Sequence, residues 1–280
     1  MRSARKGPRP QRAVQGAIHD LPDATRISSE AVADFVEQYG PGPGAPIAVV
    51  IPALNEAETV ASVVKSVPAS MSGLDTETIL VDDGSSDGTG EEARSAGALV
   101  CRFPVNLGQG HAFRAGYQLA RQRGARFIGT ADADGQFDPR ELPALMEPLV
   151  AGEADFVNGS RRLGRTETSD PVRKAGVFVF GTLISALTGV RITDPANGLR
   201  AFRSEITEVV PLRQPQYQTS ELLIGAVAHG FTVIEKPATM YEREAGVSKK
   251  GHNLFYGFRF ARVVITTWWA GRSAARRARG

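Results

Sequence analysis

Residues 126–136, RFIGTADADGQ, run a short apolar stretch into two aspartates one residue apart, Asp132 and Asp134, with Gln136 next in the same spacing. Side chains alternate along an extended segment, so positions 132, 134 and 136 emerge on one side where a strand frays into a loop. Three oxygen donors can converge there, and hard oxygens suit Mg²⁺ or Mn²⁺. Alone, an Asp-x-Asp-Gly is equally a solvated turn. Two upstream stretches repeat the pattern: ETILVDDGSSDGTG at 77–90 and IAVVIPALNE at 47–56 also run β-rich segments into acids, amides and glycines.

Three strands that each deliver polar residues at their carboxyl ends predict an open α/β sheet with its ligand in the crevice beyond those ends. Pro52, Asn55 and Glu56 follow the first strand, Asp82 and Asp83 the second, and Asp132 and Asp134 a later one. A nucleotide is expected in that crevice. Neither a G-x-G-x-x-G directly after the first strand nor a G-x-x-x-x-G-K-[ST] is present, so neither the dinucleotide fingerprint nor the Walker loop supplies the phosphate contacts. A metal held by Asp132, Asp134 and Gln136 is then the expected counter-charge for a diphosphate. Helices are predicted over Glu56–Val67, Asp87–Ala96, the stretch NLGQGHAFRAGYQLARQRG, a segment opening at Pro139, and 217–231. The stretch ADFVNGSR reads as a strand and loop, and DPANGLRAFR at 194–203 as a loop.

In order and approximate spacing, the motifs IPALNE, VDDGSSDGT, NLGQGHAFRAG, TADADGQFDP, NGSR and DPANGLRAF resemble those of family 2 glycosyltransferases, most closely the polyprenyl-phosphate mannose or glucose synthase branch. The resemblance covers roughly residues 46–250. It implies a GT-A type nucleotide-sugar-binding domain, a divalent cation, and sugar transfer with inversion. It also implies that Asp82 meets the nucleoside, while Asp132, Asp134 and Gln136 meet the metal and diphosphate. Arg161 in NGSR and Arg173 in PVRK offer bidentate guanidinium forks for phosphate oxygens, and the same branch carries arginines near those positions. It often carries a serine four residues beyond the second arginine, where this chain has Val177. Arg243, Ser248 and Lys249 match its phosphate-side loop.

The acceptor divides the readings. A lipid phosphate is already anionic and needs no strong base. A soluble hydroxyl acceptor needs one, with Asp194 or Glu221 as candidates. Glu221, near the start of its predicted helix, is equally a capping group, and His111 reads as structural or as a base. A catalytically silent nucleotide-sugar-binding scaffold is a third reading, against which the acidic cluster counts.

The chain has 280 residues, 42% hydrophobic and 22% charged, which suits an enzyme domain at 46–250 with a basic tail and short helix at 1–45 and an amphipathic basic segment at 251–280. The first twelve and last nine residues hold nine of the 33 basic residues and none of the 30 acids. The remainder therefore carries 24 basic residues against 30 acids, which speaks against a nucleic-acid-binding body. The lone Cys101 fits a reducing compartment. No apolar leader follows the basic start, so a cytoplasmic protein is expected. The carboxyl-terminal LFYGFRFARVVITTWWAGR has no uncharged run long enough to span a bilayer. It is expected to lie on a membrane surface or to pack on the domain, and aromatics flanked by arginines suit the former.

Overall fold

A computed structural model describes residues 23–167, 171–210, 212–214, 218–242, 264 and 266–269. Seven strands run side by side in the order β4 (Leu99–Arg102), β3 (Leu74–Asp82), β1 (Ile47–Ala53), β5 (Phe127–Thr130), β7 (Arg200–Arg203), β6 (Phe156–Thr166) and β8 (Val233–Met240). A short β2 (Ser70–Met71) folds back on the start of β3. The strands β4, β3, β1 and β5 are mutually parallel, β7 is antiparallel to β5 and β6, and β6 and β8 are parallel. This is the expected open, mostly parallel sheet. All seven residues of β1 are buried, as a strand covered by helices on both faces requires.

Alternation along the strands sorts their side chains between two cores. Ala48, Val50, Ile79 and Val81 face one core with α1 (Ala24–Tyr39) and α4 (Gln109–Gln122), where Phe35, Phe103, Phe113 and Phe202 are buried. Ile47, Val49, Ile51 and Leu80 face the other with α2 (Val60–Ser66), α3 (Thr89–Ser95) and α5 (Leu142–Val150). Further helices among the described residues are α6 (Pro171–Thr188), α7 (Ile206–Val209) and α8 (Gln218–Ala228). Gly116 lets α4 lie close on the sheet, because a Cβ there would strike Val50.

Several elements differ from expectation. The short helix expected before the first strand is present as α1, four residues longer at its start; its Ala31, Val32 and Phe35 lie in the core, and the Ala31 carbonyl accepts from Cys101 Sγ at 3.6 Å. Helix α2 starts at Val60 rather than Glu56, and the amides of residues 55–57 bond side chains of the 85–89 loop. The end of DPANGLRAFR is strand β7, and α6 and β8 emerge where no element was expected. In the carboxyl-terminal segment Val264 is 1% exposed within the α1–α4 core and Trp268 packs against it, while Trp269 is 63% exposed. Val264 and Trp268 thus lie on the domain. Among the described residues no helix is long and apolar enough to cross a membrane.

Candidate active site

The strand register brings four loops to one edge of the sheet. The β1–β3 ladder ends at Ala53 opposite Asp82, and the β1–β5 ladder at Val50 opposite Thr130. Pro52 lies beyond the last pair with β5, so its missing N–H interrupts no bond to that strand. There the ladders end and the loops after β1, β3 and β5 begin. Because β7 runs antiparallel, its first residue, Arg200, lies opposite Thr130 and Asn158 at the same edge.

Side chains of the VDDGSSDGT stretch stitch the loops together. Asn55 takes a left-handed conformation with φ 51°, donates its amide to Ser85 Oγ at 2.9 Å, and accepts from the Ser86 amide on Oδ1 at 2.9 Å. Glu56 N donates to Thr89 Oγ1 at 2.9 Å, and Ala57 N to Asp87 Oδ2 at 3.1 Å. Burial works to raise the Asp87 carboxyl, but hydrogen bonds from Thr89 and Ala57 hold it below its ordinary range. Thr59 Oγ1 reaches across to the Ala133 carbonyl at 2.8 Å, which ties the loop after β1 to the acidic loop after β5. Asp87, Thr89 and Thr59 are organising residues whose roles become visible only once the loops are assembled.

The two aspartates after β3 divide their work. Asp83 is 4% exposed and accepts from the amides of Leu107, at 2.7 Å, and Gly108, at 2.9 Å, at the entry to α4. Burial pushes its carboxyl up to about 7 against the pull of those bonds. Asp82 is fully buried; its Oδ1 accepts from the Ser85 amide at 2.8 Å. Its Oδ2 has no hydrogen-bond partner and lies 3.6 Å from Arg102 Nε. A Cβ on Gly90 would come within 2.8 Å of that oxygen.

Asp132, Asp134 and Gln136 are each half-buried, with Asp134 Oδ1 accepting from the Gln136 amide at 3.1 Å. The chain leaving β8 returns here, since Tyr241 N donates to the Gln136 carbonyl at 2.9 Å. Among the described residues no group of three His, Cys, Asp or Glu side chains forms a closed metal cage. Mg²⁺ is commonly held by one or two carboxylates with substrate phosphates and water completing the shell. The chemistry of the donor set fits such an ion: two carboxylates and an amide oxygen, all hard donors, with Gly198 clearing room for the Asp132 carboxylate where a Cβ would collide with it.

The two carboxylates expected as general bases are otherwise occupied. Asp194 is fully buried in a bidentate pair with Arg161, Nε to Oδ2 and Nη2 to Oδ1, each at 2.6 Å, and its Oδ2 also accepts the Arg161 amide at 3.0 Å. Arg161, 8% exposed, is thereby held inside the protein instead of presenting its fork to a ligand. Glu221 is 3% exposed and accepts from the amides of Arg213 at 2.9 Å and Gln214 at 3.0 Å, so it ties the loop before α8 to the helix rather than capping the helix's own first-turn amides. Burial nonetheless raises its carboxyl. The Arg173 side chain, Arg243 and Lys249 lie outside the described residues.

Sequence reasoning passed over Glu235 and Arg200. The Glu235 carboxylate accepts from Asn158 Nδ2, Thr193 N, Thr193 Oγ1 and Asp194 N at 2.6–3.2 Å. Arg200 is 1% exposed, and burial lowers its guanidinium to about 10 despite nearby Asp194, Asp132 and Glu235. The signal for both was a charge inside an apolar strand, Glu235 in TVIEKPATM and Arg200 in GLRAF.

Comparison with known proteins agrees with this architecture. Residues 48–210 match the model of glycosyl transferase family 2. The chain is 34% identical over 245 residues to polyprenol monophosphomannose synthase of Mycolicibacterium smegmatis, covering 83% of this chain and 89% of that one. It is 30% identical over 235 residues to undecaprenyl-phosphate mannosyltransferase of Micrococcus luteus, covering 78% and 92%. Among solved structures, glucosyl-3-phosphoglycerate synthase of Mycobacterium tuberculosis in complex with Mn²⁺ and UDP-glucose superposes with a TM-score of 0.62 at 25% identity, over 88% of this chain and 83% of that one. The family match over residues 48–210, the relatives covered over most of their length and the sheet order lead to one conclusion: the chain belongs to glycosyl transferase family 2 and is a glycosyltransferase of the GT-A fold.

Proposed function

We propose that the enzyme is metal-dependent and moves a sugar, with inversion, from a nucleotide diphosphate sugar to a polyprenyl phosphate, working as a peripheral protein at the cytoplasmic face of a membrane. The observation that carries this reading is the half-exposed pair Asp132 and Asp134 in the loop after β5, which Thr59 ties to the loop after β1. It stands in a chain similar over most of its length to synthases named for polyprenyl phosphate acceptors.

Asp132 and Asp134, with Gln136 beside them, are the residues proposed to hold Mg²⁺ or Mn²⁺. When bound, the ion supplies Lewis-acid neutralisation of the leaving diphosphate. Pro52, Asn55 and Glu56 would line the nucleotide crevice, with Asp83 fixing the entry to α4 from behind. Asp82 Oδ2, an acceptor with no hydrogen bond, is the oxygen proposed to meet the nucleoside, reached past Gly90 and Arg102. Arg173, Arg243 and Lys249 are proposed to meet phosphate oxygens, whereas Arg161 acts through Asp194. The absence of an accessible base among the two candidates supports the lipid-phosphate acceptor. Both Asp194 and Glu221 already accept protein hydrogen bonds, and a phosphate oxygen attacks without being deprotonated.

The test is release of nucleoside diphosphate from UDP- and GDP-sugars with Mn²⁺ or Mg²⁺, comparing a polyprenyl phosphate with soluble sugar acceptors. Release that requires both the metal and the lipid phosphate is expected. Full activity in excess chelator, or turnover only with a soluble hydroxyl acceptor, overturns the reading. Salt-sensitive binding to anionic vesicles, weakened by deleting residues 271–280, is expected of a peripheral enzyme with this basic end.

A further inference from the structure

The loop at 195–198 bears on the acidic loop in a way that motif spacing did not disclose. Gly198 is buried beside Asp132, and a side chain there would occupy the space of the Asp132 carboxylate. Its backbone does not lie in the left-handed region, unlike Gly84, Gly88 or Gly135. The position therefore requires glycine because of its neighbour's carboxylate and not because of its own φ.

The turn that presents Gly198 is clamped from three sides. Thr130 Oγ1, two residues before Asp132, donates to the Gly198 carbonyl at 2.7 Å. Arg200 donates from Nε to the Asn197 carbonyl and from Nη2 to the Pro195 carbonyl, both at 2.8 Å, and from Nη1 to the Thr219 carbonyl at the start of α8. Asn197 Oδ1 accepts the Leu199 amide at 2.7 Å. A buried guanidinium that satisfies three carbonyls of one turn and one helix start fixes that turn as a rigid body relative to β5 and β7.

We infer that the 195–198 turn is a platform that aims the Asp132 carboxylate, and that Gly198 and Arg200 are positioning residues for the acidic loop. This rests on the proposed role of Asp132 as a metal ligand. Displacing a carboxylate by a methyl group's width moves a ligand oxygen out of place without removing it, whereas loosening Arg200 lets the platform itself shift. Partners that orient ligands in this way are worth about ten- to a hundredfold in metal affinity.

Two measurements on the full chain test the inference: Mn²⁺ binding, read from loss of the free-ion resonance signal, and the unfolding midpoint. Gly198→Ala should weaken Mn²⁺ binding about ten- to a hundredfold, Arg200→Lys should weaken it less, and Asp132→Ala should abolish it. In unfolding, the destabilisation by Gly198→Ala should largely vanish in the Asp132→Ala background, because the colliding carboxylate is gone. If Gly198→Ala alone fails to fold, folding of the double variant is the same expected coupling. Unchanged Mn²⁺ affinity in Gly198→Ala, with binding lost in Asp132→Ala, overturns the platform while leaving the metal reading intact. Unchanged affinity in Asp132→Ala overturns the metal reading and the platform's role with it. Additive effects of the two substitutions on unfolding, or failure of Gly198→Ala to fold in both backgrounds, also overturn the inference.

Discussion

The loops after β1, β3 and β5 and the polar layer between β6, β7 and β8 are built from the same residue types and put them to opposite uses. On the first side Asp132 and Asp134 stay half-exposed at a crevice. On the second, Asp194, Arg161 and Arg200 are sealed inside with their hydrogen-bonding atoms engaged. Breaking a buried pair costs far more than its formation gains, because the remaining charge is left unsolvated. Burial with protein partners, rather than residue identity, thus marks Asp194, Arg161 and Arg200 as frame.

Substitutions in the two regions should part company accordingly. The largest effect is expected from Asp134→Ala, which should abolish sugar transfer while moving unfolding stability by no more than about 0.5 kcal/mol, as for a half-exposed site. A large loss of stability in denaturant titration would merge the two regions and undo the contrast. Asp194→Ala should do the reverse. Leaving Arg161 buried and unpaired should cost about 3–5 kcal/mol of stability, and an intact unfolding midpoint with lost activity would return Asp194 to the role of a base.

Asp83 sharpens the comparison through pH. Its carboxyl, raised to about 7 from an ordinary 3.8, holds a proton in the folded protein that the unfolded chain releases. Its stabilising contribution is therefore full below about pH 4 and is lost as pH rises through 7, a change on the order of a few kcal/mol. Asp83→Asn should remove that part of the slope when urea midpoints are compared between pH 5 and pH 8. An unchanged slope would mean that the two amide bonds from 107 and 108 outweigh burial. The smallest effect is expected at the exposed stitching. Asp87→Ala removes acceptors for Thr89 and Ala57 and should cost about 1 kcal/mol, with nucleotide affinity falling more than the unfolding midpoint.

The fold was legible because its signals are local. Apolar runs ending in IPALNE, VDDGSSDGT and TADADGQ encode strand and turn within a dozen residues each, and parallel strands with such ends bring those turns to one edge. The same locality exposed Asp132, Asp134 and Gln136 as a group. Strand β7 was missed because its four residues follow a turn-rich stretch, and pairing with β5 and β6 on both sides overrides that context.

What the sequence by itself determined is the alternation of strands with acidic, glycine-rich loops, and hence the crevice and the acids offered to it. Only the tertiary structure decided which charged residues remain available there. Asp194 meets Arg161 across 33 positions and Glu235 across 41, and Gly198 meets Asp132 from a different strand connection. Spacing along a chain reports which side chains a strand or turn presents together; it carries no record of the distant donor that will occupy them, because that partner is set by the order and register of the sheet.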